Sequence, residues 1–341
     1  MNPIVKSTLK PLVLNIALLA LAFLLSVSFG SVGIPLPSLL RLTIGSLTGL
    51  TFNLDWSETF AAIFYQIRLP HTLLVALTGA SLAGSGAAYQ GLFRNPLADP
   101  YLIGAASGAG LGAIIAMSTS LTSSLLGSFA IPAAAFVGSM VTVMVVYVLS
   151  RTGRIVSTTT LILAGVAMSS FTTAMTSILM IGAQGEVRRA LSWLLGGSVS
   201  GGWQPVIVAL PYMIFSLGAL GLLGHVLNVL QFGDEQASQL GMPVERARIV
   251  VIVAASLATA AAVSFSGIIG FIGLIVPHIA RILWGPDYRG LIPLSVLGGA
   301  TALLLADLVA RLVLAPEVLP VGIITALAGA PFFIWVLRRS K

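Results

Sequence analysis

Asp307 has the setting in this chain that most demands a chemical explanation. It stands inside the apolar run LLLADLVARLVL, residues 303–314, where a lone carboxylate is costly once water is excluded. Two chemistries fit. A carrier driven by an ion gradient would use Asp307 to take up and release a proton, whereas Arg311, one helical turn on, would simply neutralise it. Arg68, His71 and Arg311 all sit at the ends of apolar runs. They suit either anchoring at a polar surface or contact with an acidic partner. Other chemistry is excluded by composition. The chain has no cysteine, which removes disulfides, thiolate metal sites and cysteine nucleophiles together. Its three histidines, His71, His225 and His278, are too scattered for a metal cluster. Nucleotide hydrolysis needs a glycine-rich loop ending in Gly-Lys-Ser/Thr. No glycine precedes a lysine here, so the chain is expected to be no enzyme and to hold no cofactor.

The elements that must position these residues are helices in lipid. Hydrophobic residues make up 57% of the chain and charged ones 8%, with a mean hydropathy of +1.05. Soluble domains carry about a quarter charged residues, so water cannot face most of this surface. The net charge of +7 does not indicate nucleic acid, because the basic residues stand singly or in pairs at the ends of apolar runs. A bilayer core of about 30 Å takes about 20 apolar residues. Ten spans are predicted, near 11–29, 69–92, 101–118, 129–149, 158–181, 205–227, 247–264, 268–284, 291–310 and 320–337. With an even count both termini share one side. Twelve of the 17 basic residues then fall on that side, which makes it cytoplasmic. The first span is expected to stay uncleaved.

Small residues recur every four positions in two places, at Gly79, Ala83, Ala87 and Gly91 and again at Gly104, Gly108 and Gly112. On a helix such a stripe lets another backbone pack closely. Between the stripes lies a proline-locked polar turn, Asn95-Pro96. A short surface helix is predicted at about 186–195 on the outer side. On the inner side, residues 231–248 (QFGDEQASQLGMPVERAR) read as a platform of two short helices. Asp234 would cap the first, Gly241 end it and Pro243 start the second.

The motifs RLP…GASLAGSGAAYQ…FRNPLADP, FGDEQASQLGMP and SGIIGFIGLIVPHIAR together resemble the FecCD-type permeases of bacterial ABC importers for iron-siderophores, haem or cobalamin, and the likeness covers nearly the whole chain. The resemblance implies one all-α transmembrane domain over residues 1–341 with the type II ABC importer permease fold. It implies a multi-pass homodimer in the bacterial inner membrane. Two separate ATPase subunits would bind ATP and Mg, and an extracytoplasmic binding protein would deliver the ligand, a ferric siderophore first and haem or cobalamin next. Carried over residue by residue, Arg68, His71 and Arg311 would dock the binding protein. His71 departs from the family's arginine and puts a titratable group there. Asn95, Leu97, Thr158 and Thr159 would form the cytoplasmic gate. Asp234, Glu235, Gln239, Leu240, Gly241, Met242 and Arg246 would contact the ATPase. Met168, Thr172, Met175 and Leu179 share one helix face and suit a pathway lining or ordinary packing. Glu317 is displaced by one residue from the family's Glu-Leu-Pro.

Overall fold

The computed structural model describes residues 3–30, 61–119, 127–152, 155–182, 187–197 and 201–339. Glu186, and Arg41, Arg154 and Lys341 of the charge tally, lie outside them. The described residues form α1 (Pro3–Ser28), a π-helical turn (Ile63–Arg68) running into α2 (Leu69–Leu92), a 3-10 turn (Pro100–Ile103), α3 (Ala105–Ser118), α4 (Ala130–Leu149), α5 (Thr158–Gly182), α6 (Val187–Leu194), α7 (Trp203–Leu222), α8 (Gly224–Leu230), α9 (Asp234–Gln239), α10 (Val244–Ser266), α11 (Ile272–Trp284), α12 (Tyr288–Val313) and α13 (Val321–Arg339). Two-residue strands, Arg151–Thr152 and Ile155–Val156, pair before α5. Every predicted span corresponds to a helix. Among the described residues, seven helical segments are long and apolar enough to cross a membrane, and α3, α11 and the apolar part of α13 are shorter.

At the centre is α2, because it has almost no side chains to keep neighbours away. Every residue from Thr78 to Phe93 is buried, as expected of a helix that is apolar all round. It packs on α12, α10, α11, α7 and α1. A Cβ added at Gly79 would strike the carbonyl of Gly299 on α12, and one at Gly86 the carbonyl of Gly273 on α11. Gly108 and Gly112 do the same for α3 against Gly138 and Ala134 of α4. Gly104 departs from the predicted stripe. It lies outside the helix, at φ +83°, and makes the turn into α3.

The shortness of α3 and of α11 has a common cause. The chain leaves α2 at one end of the bundle, and Pro100 has already climbed back beside Leu82 and Gly273 before α3 begins. Residues 267–270 interrupt the path from α10 to α11 in the same layer. Irregular backbone at such depth survives only where protein satisfies it. Here the Tyr101 hydroxyl donates to the Ile269 carbonyl at 2.9 Å and accepts from the Ile269 N–H at 3.3 Å. One phenol thus serves both backbone groups of one residue. Nearby, Thr78 and Ser266 hydroxyls meet at 2.6 Å, joining α2 to the end of α10.

Two substitutions test this account. Tyr101→Phe strands the Ile269 amide and carbonyl, each worth about 1–3 kcal/mol when buried unpaired, and a marked fall in Tm in detergent is expected. Gly79→Val forces α2 from α12 and should cost at least the ~1–3 kcal/mol of an overpacked core. An unchanged Tm in either protein would show that the contact does not hold the bundle together.

Candidate functional site: two charged ends of one bundle

At one end of the bundle, two arginines close the C-terminus of α1. A helix leaves its last carbonyls without partners, and cations are favourable there. Arg68 Nη1 donates to the carbonyls of Val27 at 3.0 Å and Ser28 at 3.1 Å. Arg311 donates from Nη1 to the Phe29 carbonyl at 3.1 Å, and from Nη2 to the Ser26 carbonyl at 3.1 Å and hydroxyl at 2.8 Å. Its Nε donates to Asp307 Oδ2 at 2.9 Å, while Asp307 Oδ1 lies 3.0 Å from His71 Nε2. Asp307 therefore has both oxygens engaged, which leaves the ion-coupled carrier without support. Arg68 is buried and His71 and Arg311 are half-buried, so all three residues expected to dock a partner also hold their own fold. Beside His71 and Asp307 a cavity of about 150 Å³ runs past Thr78, Ser192 and Ser266 to Pro320. The surface helix α6 begins at Val187, with Ala190 and Trp193 buried.

At the opposite end, α9 forms the platform. Gly233 at φ +102°, not Asp234, is its N-cap. The Asp234 carboxylate turns instead to Arg248, whose Nη2 donates to Oδ2 at 2.6 Å. Arg248 is 4% exposed, and its Nη1 donates to Glu245 Oε2 at 3.1 Å. Glu245 in turn accepts from the Tyr147 hydroxyl of α4 at 3.2 Å. The helix ends in a Schellman motif, with Gly241 at φ +84°. The Met242 and Gly241 N–H groups donate to Ala237 and Ser238 carbonyls at 3.1 and 2.9 Å. Pro243 caps α10 itself, so the second expected platform helix is the start of the next span. Asp234, Glu235, Gln239, Leu240, Gly241 and Arg246 are exposed and Met242 half-buried. Leu240 presents its side chain to solvent at 69% exposure.

Asn95, Leu97 and Thr159 are exposed and Thr158 half-buried. The Asn95 carbonyl oxygen Oδ1 accepts from the Leu97 N–H at 2.9 Å, which fixes the proline turn. The face of α5 carrying Met168, Thr172, Met175 and Leu179 turns toward the chain's own bundle, the packing alternative of the two. Thr172 is 2% exposed, and Met168 and Leu179 pack on the chain's own core. The uncovered face of α5 instead carries Leu163, Val166, Phe171, Ile178 and Ile181.

This topology, with its platform and broken helices, has counterparts among known proteins. Residues 18–339 match the model of the FecCD transport family. The chain belongs to that family. The cobalamin import system permease protein BtuC of Halobacterium salinarum is 42% identical over 309 residues, 91% of this chain and 81% of that protein. The hemin transport system permease protein HmuU of Yersinia pestis is 40% identical over 294 residues, 85% of this chain and 87% of that protein. A solved metal-chelate type ABC transporter in an inward-facing conformation superposes with a TM-score of 0.81 at 29% identity, covering 97% of this chain and 99% of that one. The all-α fold is thus shared with an ABC importer permease.

Within this FecCD chain, two residues escaped the reading of motifs. Arg248 closes the 231–248 segment without belonging to a motif, and its spacing of three from Glu245 is the signal that pairs them. Arg281, near the end of α11, bonds Gln90, 191 residues away, and Tyr288, across the break between α11 and α12, so helical spacing links it to neither.

The cluster at the end of α1 makes a prediction. Arg311→Gln opens the carbonyls of α1 and leaves Asp307 with His71 alone. Breaking a buried pair costs about 3–5 kcal/mol, so Tm should fall steeply. The double variant Arg311→Gln/Asp307→Asn should recover part of the loss. Strict additivity of the two single changes would mean the pair is not coupled.

Proposed function

We propose that this chain is the membrane permease of an ATP-driven importer, a single transmembrane domain working as a homodimer in the bacterial cytoplasmic membrane. The observation that carries the proposal is the α9 platform. It is an exposed, polar, rigidly capped helix on a bundle whose chain contains no phosphate-binding loop. A rigid helix of this kind suits insertion into a cleft of a separate ATPase that binds ATP and Mg. The platform end and both termini would be cytoplasmic. Directions agree with this: α1 finishes at the Arg68–Arg311 cluster, and α13 starts at the neighbouring cavity.

The cluster of Arg68, His71 and Arg311 carries two permanent positive charges against one carboxylate, so its end of the molecule suits an acidic binding protein. The three residues would act there through a net positive field as well as by contact. The transport route would follow the dimer axis past the uncovered face of α5, with Asn95, Leu97, Thr158 and Thr159 as the inner gate. A metal chelate is the proposed cargo. Cobalamin and haem have more direct support than a ferric siderophore, because relatives near 40% identity are named for those two. Alternating access by an ATPase-driven movement of α9 would then open the two ends in turn.

The test is uptake of radiolabelled cobalamin or haem into proteoliposomes holding this chain and its ATPase. Uptake is expected only with ATP inside. Leu240→Asp should reduce it by roughly tenfold or more, the effect of losing an apolar interface anchor, with Tm unchanged because the side chain touches little of its own fold. Uptake without ATP, or a Leu240→Asp protein of full activity, would sink the reading.

A further inference from the structure

The platform end also contains a pocket that transport as described leaves unused. It has a volume of about 210 Å³ and is lined by Gln90, Arg94, Asn95, Gln231, Arg281 and Tyr288, with two prolines. Two arginines face it and no carboxylate does.

The backbone holds Arg94 against its preference. The end of α2 closes as a Schellman turn, with Arg94 N–H donating to the Gly91 carbonyl at 3.2 Å and Asn95 N–H to Gln90 at 3.1 Å. The left-handed position of that turn, which glycine usually occupies, is Arg94 at φ +51°. A side chain there costs about 1 kcal/mol or more, so a gain elsewhere must offset it. The guanidinium crosses Gly233 and comes within 3.9 Å of Asp234 Oδ1. Its reach joins the proline turn to the entry of the platform.

Arg281 is held from the other side. Its Nη2 donates to Gln90 Oε1 at 3.0 Å and to the Tyr288 hydroxyl at 3.2 Å. Its Nη1 is buried and has no hydrogen-bond partner. A charged donor left so is expensive, and buried polar groups normally find acceptors. The Tyr288 oxygen, accepting from Arg281, still has its own proton to donate. Asn95 uses its oxygen for Leu97 and keeps its amide N–H groups. The nearby acids are committed elsewhere. Asp287 accepts from Arg289 Nη2 at 2.7 Å and from Asn228 at 2.6 Å, and these bonds, Arg289's first, hold it well below the usual carboxylate range. Asp234 belongs chiefly to Arg248.

We propose that this pocket binds a phosphate group, supplied either as inorganic phosphate or as the headgroup of an anionic phospholipid. The uncommitted donors, Arg94, the Asn95 amide, Arg281 Nη1 and the Tyr288 hydroxyl, approach from three segments: the turn after α2, the end of α11 and the start of α12. A tetrahedral anion has acceptors in all those directions, and guanidinium groups match it well. Bound there, it would tie the proline turn to the end of α11 and the start of α12, beside Gln231, which lies three residues before α9 and itself donates to the Gly91 carbonyl at 2.8 Å. The position of the platform relative to the turn would then depend on the anion. The site rests on geometry of the permease alone, so its failure would leave the transport reading standing.

The test uses the full chain in neutral detergent, titrating inorganic phosphate against chloride at matched ionic strength while Tm is followed. In parallel, protein from nanodiscs of phosphatidylcholine, with or without phosphatidylglycerol, is analysed by native mass spectrometry. The expected result is a saturable rise in Tm with phosphate beyond that of chloride, or retained phosphatidylglycerol. The first identifies a free anion and the second a lipid headgroup. Arg94→Gln and Arg281→Gln should each weaken binding by about tenfold or more, the loss of one charge-assisted contact. Arg338→Gln, on the exposed end of α13, should bind as the unaltered chain does. Arg94 is partly exposed, so its variant reports even where Arg281→Gln fails to fold. If Arg94→Gln and the unaltered chain respond alike to phosphate and to phosphatidylglycerol, the proposal falls.

Discussion

Lipid offers neither donors nor acceptors, and this constraint shapes the molecule more than any single side chain. Each backbone amide and carbonyl must be satisfied within the protein, yet the chain breaks its helices around residues 95–104 and 267–270. It can do so because α2 brings α11 and α12 close. With hydrogen atoms in place of side chains at Gly79 and Gly86, the carbonyls of Gly299 and Gly273 sit against its backbone. The two breaks then fall side by side, near enough for the Tyr101 hydroxyl to serve both polar groups of Ile269. Close packing is thus the condition for the irregular backbone, and the irregular backbone is what turns α3 and α11 back through the bundle.

Among the described residues the ion pairs lie at the two ends, and the same two helices contribute at each. Arg68, beside the start of α2, and His71 within it meet Asp307 and Arg311 of α12 at one end. At the other, Gln90 at the end of α2 and Tyr288 at the start of α12 share Arg281. The chemistry differs with what must be satisfied. Where α1 stops, the arginines serve bare carbonyls, and one carboxylate balances them. Where α9 starts, the ends of α2 and α8 are closed by backbone turns and by Gln231, and Arg248 is left to bind two carboxylates that shape the platform. An arginine at each end is therefore structural before it is anything else.

Apolar run length made the ten helices legible, because crossing a bilayer sets a minimum length that few soluble helices approach. The Asp307–Arg311 pair was legible too, since four residues on a helix is one turn. His71 was not, lying 236 residues from Asp307. Glycine spacing located the close contacts at Gly79, Gly108 and Gly112 but also enrolled Gly104, since spacing alone does not separate a packing glycine from a left-handed one. The α5 face shows the same limit. Periodicity says that Met168, Thr172, Met175 and Leu179 share a side, and only the fold says that the side is covered by the chain's own core. The platform's first cap failed for a reason of competition: Arg248 offers Asp234 a charged partner, a stronger one than a backbone N–H.

These contacts also indicate where movement can occur. Helices in backbone contact, such as α2 with α12 and α3 with α4, have no side-chain layer to deform, and shearing them would drive glycine carbonyls into one another. Any change that opens one end must therefore be taken up by helices held through side chains. In α5 this condition is met over most of its length. Of its two glycines, Gly165 touches a neighbour's backbone closely, against Leu102, and Gly182 meets nothing, while Phe171, Ile178 and Ile181 point outward. Gly165 is one turn above Leu161 and close to Thr158 and Thr159, so the tight point lies near the end that also bears the Asn95 turn. A helix in close backbone contact near one end and held through side chains beyond it can tilt about that contact, which would spread the far end of α5 most.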